Sequence, residues 1–290
     1  MTTGTDCACG GRKLSNGNCS ILGLDGLPVQ CVGIWASDKY HYLGQYIEAT
    51  CAVRAEYLPP MGPGGAAFID LFAGPGRVRV RETGEIKDGS PLIAAKHGKA
   101  PFSKLVFCEM RQDNVSALKS RTACHGQRVE VILGDCNSSI DTIAAAVPEH
   151  GLNIALIDPF GLQALKFATI ERLGRFRRMD LVVHFPTGDI KRNLTKSENT
   201  RRWLSEALGT MEWESRCSSA KEVAVLVEVF KERLRRIGYG SEQVRSQPIK
   251  NSQNVTLYYL VYASKHPRGD AIWQSITRNT PSGQRGLGFD

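Results

Sequence analysis

Residues 66–76, AAFIDLFAGPG, constrain the chain more than any other stretch. From Ala66 to Phe72 the run is apolar except for Asp70, which reads as a parallel strand buried on both faces. Ala73-Gly74-Pro75-Gly76 then turns the chain, with glycines where a Cβ would keep a ligand off the backbone. A strand ending in an acid and a glycine turn belongs to an open α/β sheet, which holds ligands beyond the carboxyl ends of its strands. The spacing is D-x-x-x-G-x-G, not the G-x-G-x-x-G of dinucleotide-binding folds.

The chain on either side alternates as such a sheet requires. A helix is expected over 37–58, closed by Pro59-Pro60. Val78–Val80 and 85–87 flank Glu82-Thr83-Gly84 and predict a small hairpin after the glycine turn. Ser90 reads as an N-cap, with Pro91 opening a crossover helix over 92–97. Strands are predicted at 104–108, 129–133, 153–157 and 180–185, with helices at 113–124, 139–146 and 167–176 between them. A helix at 221–237, an antiparallel pair at 241–248 and 255–262, and a helix at 269–277 complete the pattern. The predicted class is α/β, a doubly wound, mostly parallel sheet of seven strands. Four predicted strands end at or near an acid: Asp70, Glu109, Asp135 and Asp158. Together they would line one sheet edge as a polar crevice.

Residues 1–34 read as a loosely ordered extension rich in Gly and Cys, and 35–290 as one domain with a basic insertion at about 187–218. Cys7, Cys9, Cys19 and Cys31 lack the paired C-x2-C knuckles of zinc sites, and no metal site is assigned to them. No apolar run approaches the ~20 residues of a membrane span, and no apolar signal core follows the N-terminus, so a cytoplasmic protein is expected. The net charge of +8 favours a polyanionic partner. Its basic residues cluster at Arg172, Arg175, Arg177 and Arg178, at Lys191, Arg192, Lys196, Arg201 and Arg202, and at Lys231, Arg233, Arg235 and Arg236. Clusters following predicted strand ends are candidates for a nucleic-acid surface.

The glycine turn resembles the first motif of class I S-adenosylmethionine (SAM) methyltransferases. That resemblance implies SAM as cofactor, held by Asp70, Phe72, Ala73, Gly74, Gly76, Glu109 and Asp135. A carboxylate at Glu109 suits ribose hydroxyls, because it offers two acceptor oxygens and no donor. Asp135 suits the adenine amino group, and Asp70 the methionine end. Asp158-Pro159-Phe160-Gly161 follows the fourth strand, near the [DN]-P-P-[YF] of amino-group methyltransferases, but with the aromatic one place early. It is similar to the corresponding motif of tRNA guanine-N2 dimethyltransferases. The similarity implies that Asp158 and the Pro159 carbonyl hold an exocyclic amine while Phe160 stacks the base, so that positioning does most of the work. D-L-F-A-G-P-G also resembles the first motif of cytosine-C5 methyltransferases, but the chain has no Pro-Cys dipeptide to supply their nucleophile.

Several stretches together resemble the bacterial three-Cys-motif partner (TcmP) family. They are 25–47, 68–96, Phe107-Cys108-Glu109-Met110, Gly134-Asp135, 156–161 and 283–289. The resemblance implies a class I methyltransferase-like protein working beside an iron–sulfur or radical-SAM-like partner. Three readings follow: a methyltransferase acting on a nucleobase amine in RNA or DNA, an accessory subunit of that partner, and a small-molecule methyltransferase.

Overall fold

The apolar runs pair into a central sheet, and the polar segments between them coil over both of its faces. The computed structural model describes residues 11–13, 19–188, 190, 197–217, 223–251 and 253–278. Its strands are β1 (Arg12–Lys13), β2 (Cys19–Leu22), β3 (Pro28–Val32), β4 (Ala66–Asp70), β5 (Arg77–Val80) and β6 (Ile86–Asp88). They continue as β7 (Lys104–Glu109), β8 (Val129–Leu133), β9 (Leu152–Ile157), β10 (Met179–Phe185), β11 (Val244–Lys250) and β12 (Thr256–Ala263). The helices are α1 (Ala36–Ala49), α2 (Cys51–Ala55), α3 (Ser90–Lys96), α4 (Gln112–Thr122) and α5 (Ile140–Ala145). After these come α6 (Phe167–Leu173), α7 (Glu198–Leu208), α8 (Trp213–Arg216), α9 (Val223–Arg236) and α10 (Pro267–Thr277).

The large sheet runs β11-β12-β10-β9-β4-β7-β8. β8, β7, β4, β9 and β10 are parallel; β12 runs antiparallel to β10 and to β11, so β11 points the same way as the five. This is the doubly wound, mostly parallel plan expected. β4 lies inside the sheet between β9 and β7 with every residue buried, because both of its faces are covered. One face packs Ala67, Ile69, Ile157 and Val183 against α5, α6, α7 and α9. The other packs Phe68, Phe107 and Leu156 against residues of α1, α3, α4 and α10. The chain reverses its winding direction at β4 and β9, so the crevice opens at their carboxyl ends.

α1 is placed by aromatic packing. Tyr42, Leu43, Tyr46 and Ile47 are buried at helical spacing. The Tyr46 ring meets Tyr262 and Trp273 edge-on, and Tyr262 stacks on Trp273 at 4.6 Å. Buried Asp180 fixes the Tyr46 hydroxyl at 2.6 Å. The N-terminal turn of α1 is thereby held over the crevice.

Residues 19–34 depart from the loosely ordered extension expected. β2 and β3 form a hairpin, and β3 pairs in parallel with β5 to build a second, five-stranded sheet, β1-β2-β3-β5-β6. Val29 and Val78 are buried while their neighbours along each strand are not, an alternation too short to read from sequence. Arg121 ties the hairpin to the glycine turn: it pairs with Asp25 at 2.9 Å and donates to the Pro75 carbonyl at 2.6 Å. Cys19 and Cys31 are buried in these strands; Cys7 and Cys9 lie outside the described residues. The hairpin after the glycine turn forms as expected, as β5 and β6. Gly89, not Ser90, takes the N-cap position of α3. Among the described residues no helix is long and apolar enough to cross a membrane.

Candidate active site

The four acids stand at the carboxyl edge of the large sheet, as expected. Asp70 is the last residue of β4 and Glu109 of β7; Asp135 follows β8 by two residues and Asp158 follows β9 directly. Three of the four are held by main-chain N–H groups close to them in sequence or in the glycine turn. Asp70 Oδ1 accepts from the Phe72 N–H at 3.1 Å. Glu109 Oε2 accepts from the Gly74 N–H at 2.9 Å, and its Oε1 from the Arg111 N–H at 2.8 Å. Asp135 Oδ1 accepts from the Asn137 and Ser138 N–H groups at 2.8 and 3.1 Å. Ala73 extends the sheet pairing into the turn through its N–H to the Cys108 carbonyl at 3.0 Å. Gly74 and Gly76 then adopt φ of +62° and +86°, conformations that favour glycine.

Asp70 is fully buried, and its Oδ2 has no hydrogen-bond partner among the described residues. Burial pushes its carboxyl up to about 7, against the pull of the Ser90 hydroxyl and the Phe72 N–H. Its Oδ2 lacks a donor, and a donor or cation placed there would favour the ionised form.

Asp158 is held quite differently. Lys39 of α1 donates to its Oδ2, and His184 Nδ1 lies 3.1 Å from its Oδ1. The same His184 nitrogen is 3.3 Å from the Pro159 carbonyl. Burial alone would push Asp158 up, but the charges and hydrogen bonds of Lys39 and His184 hold it well below the usual carboxylate range. Burial would likewise depress Lys39, and Asp158 reverses that, keeping it charged. His184 is braced in turn by the Tyr258 ring, edge-on at 4.4 Å, whose hydroxyl donates to the Trp35 carbonyl at 2.8 Å. Phe160 is not in the core; it is 51% exposed beside this cluster.

Sequence reasoning missed Lys39, His184 and Tyr258. The signal for Lys39 was present: it shares the face of Leu43 and Tyr46 on α1, a lone cation in a buried stripe. His184 is the polar residue near the carboxyl end of β10, whose other polar residue, Asp180, lies at its start, and nothing in the sequence pairs it with Asp158.

The basic clusters are placed less favourably than expected. Arg175, Arg177 and Arg178 precede β10 and so lie at the amino edge of the sheet, opposite the acids. Arg178 packs over the Tyr57 ring there. Arg236 pairs with Glu212, Lys231 with Glu228, and Arg233 lies over Phe167. Arg201 and Arg202 are on α7, and Lys191, Arg192 and Lys196 lie outside the described residues. A cavity of about 680 Å³ between Lys104, Glu130, Thr142 and Pro148 also sits at the amino edge, away from the acids.

Counted along the chain from β4, the large sheet has the order 3-2-1-4-5-7-6, with the seventh strand inserted antiparallel beside the fifth. The chain has the class I methyltransferase fold. No protein-family model and no curated protein matches its sequence. Among solved structures it is similar to protein LPL1258 of Legionella pneumophila, described by the family model DUF519. That pair is 12% identical with a TM-score of 0.50, covering 83% of this chain and 92% of the other. It is also similar to M. jannaschii TYW2 in complex with AdoMet, at 10% identity and TM-score 0.40 over 85% of this chain and 84% of the other. The methyltransferase domain of bacterial CtHen1 gives 14% and 0.39, over 77% of this chain and 98% of that domain.

Proposed function

We propose that the chain is a SAM-dependent methyltransferase acting on an exocyclic amine of a nucleobase in RNA or DNA. One observation carries this reading: a carboxylate kept ionised by Lys39 and His184 stands beside an exposed aromatic ring, in the same crevice as the backbone-held acids and the glycine turn.

The residues present fit the cofactor. Gly76 backs onto the core, where a Cβ would lie 3.0 Å from Leu118, and its φ of +86° favours glycine, which fixes the course of the turn. Glu109 keeps lone pairs beyond those its two N–H donors use, since each carboxylate oxygen accepts twice, and these would take ribose hydroxyls. Asp135 would take the adenine amine, Phe72 and Ala73 would flank the turn, and the orphaned Asp70 Oδ2 would meet the cationic end of the methionine part. SAM supplies an electrophilic methyl group when bound.

The chain's own residues then position the acceptor. Asp158 is a poor base in the neutral range, because Lys39 and His184 hold its carboxyl well below the usual carboxylate range. It accepts a hydrogen bond from the amine with its remaining lone pairs, the Pro159 carbonyl offers a second acceptor, and the proton shed by the methylated nitrogen leaves to solvent. As the nitrogen becomes positively charged, the fixed carboxylate stabilises it more than it stabilised the neutral amine, which is the condition for acceleration. Lys39 and His184 fix the orientation of that carboxylate, and Phe160 offers a face on which the base can stack.

The three-Cys-motif partner assignment, with its iron–sulfur or radical-SAM-like partner, is supported by the sequence stretches alone. The deciding experiment is incubation with radiolabelled SAM and, separately, total RNA, DNA and metabolite pools. Label is expected in RNA or DNA. Label confined to metabolites would overturn the nucleobase assignment, and no label in any pool would overturn the activity.

A further inference from the structure

Just ahead of α1, the helix that carries Lys39 to Asp158, the surface holds a second aromatic that the reaction leaves unused. Trp35 precedes α1 and is 39% exposed, and its neighbour Ile34 is 53% exposed. The indole lies flat against the backbone of Gly33: a Cβ there would fall 2.2 Å from a ring carbon. Gly33 therefore forms a seat that fixes the ring. The Arg81 guanidinium stands over the indole at 5.5 Å, and Arg81 is exposed with no carboxylate partner among the described residues. From Trp35 the path to the acid is short: its carbonyl takes the Tyr258 hydroxyl, the Tyr258 ring braces His184, and His184 holds Asp158. Lys39, on the opposite oxygen of Asp158, is one helical turn from Trp35.

We propose that Trp35, seated on Gly33 and flanked by Arg81, is a stacking subsite for the nucleotide next to the reacting base of a single-stranded nucleic acid. This rests on the nucleobase reading and narrows it. Aromatic faces accept any unstacked base, and the guanidinium that covers the indole would yield that face to the base and pair with the adjoining phosphate. Phe160 and Trp35 would then take neighbouring bases on either side of the Asp158 cluster. A duplex keeps its bases stacked and cannot use two such faces at once, so the geometry favours a single strand. A small metabolite would need only the Phe160 side.

The test is a fluorescence titration with an unmodified single-stranded oligonucleotide of about 12 residues, without SAM. Binding is expected to quench tryptophan emission; Trp213 and Trp273 are buried and Trp203 is half-buried on α7, so the quench seen in Trp35→Phe, which lacks the indole, is subtracted as the background. Trp35→Ala should weaken binding about tenfold and Trp35→Phe much less. Arg81→Gln should lower the slope of log affinity against log salt by about 0.7. Anisotropy of a labelled strand gives affinities independently of the indole, and thermal melting checks that each variant is folded. If the wild type binds the strand and Trp35→Ala and Arg81→Gln bind equally well, the subsite is wrong while the methyl-acceptor reading stands. If the wild type binds SAM but no strand, the nucleobase reading itself falls, and the subsite with it.

Discussion

Asp70, Glu109 and Asp135 on one side of the crevice, and Asp158 on the other, are all carboxylates at strand ends, yet they are fixed by different means. The first three take N–H groups of the backbone, two or three residues on or in the glycine turn. Their positions follow from the sheet itself. Asp158 is fixed by two side chains from remote elements, Lys39 from α1 and His184 from β10. Its position therefore depends on how α1 docks. A backbone-held acid leaves lone pairs for a neutral donor such as a ribose hydroxyl. A cation-held acid is locked in its charged form, which suits a group that must not take the substrate's proton but must face positive charge as it develops.

The sharpest way to break this contrast is to remove the cation. Lys39→Met leaves a largely buried carboxylate with His184 alone, and should cost about 3 kcal/mol of stability. Urea unfolding at neutral pH measures it. A loss no larger than that of an exposed lysine variant would mean that the pair does not position Asp158.

The second prediction uses the opposite anomaly at Asp70. Its carboxyl is raised to about 7, so between its ordinary value and 7 the native state holds a proton that the unfolded chain has released. Stability should then fall as pH rises through that window and level off above it, by on the order of 2 kcal/mol between about pH 5 and pH 7. Asp70→Asn should flatten this slope. An unchanged slope in the variant would show that Asp70 is not the group responsible.

A third and smaller effect separates stability from turnover. Asp158→Asn strands Lys39 without its counter-charge, so the single variant confounds folding with catalysis. In the double variant Lys39→Met/Asp158→Asn stability should recover, while turnover stays at least tenfold down, about 1.4 kcal/mol. Turnover that recovers together with stability would make Asp158 a purely structural residue.

The same contrast explains what could be read from the sequence. The large sheet was legible because its strands are continuous apolar runs and each acid sits at the end of its own run. Asp70, Glu109 and Asp135 were legible as a set because their partners are main-chain N–H groups, two or three residues on or in the glycine turn. Lys39 was not, because its partner lies 119 residues away and only the docking of Tyr42, Tyr46 and Trp273 brings them together. The β2–β3 hairpin was hidden for a similar reason: its strands are short, and β3 finds its parallel partner β5 across the whole of α1 and β4. The cluster at Arg175, Arg177 and Arg178 misled, since a charge run carries no information about which edge of a sheet it occupies.

The most direct measurement is a calorimetric titration of SAM into the wild type, Glu109→Ala and Lys39→Met. The wild type should bind one equivalent. Glu109→Ala should lose roughly 1–3 kcal/mol, because ribose hydroxyls are left without their acceptor, and Lys39→Met should bind nearly as the wild type does. That pattern would place the cofactor among the backbone-held acids and leave Asp158 to the acceptor. No heat from any of the three at millimolar SAM, or equal losses in both variants, would contradict it.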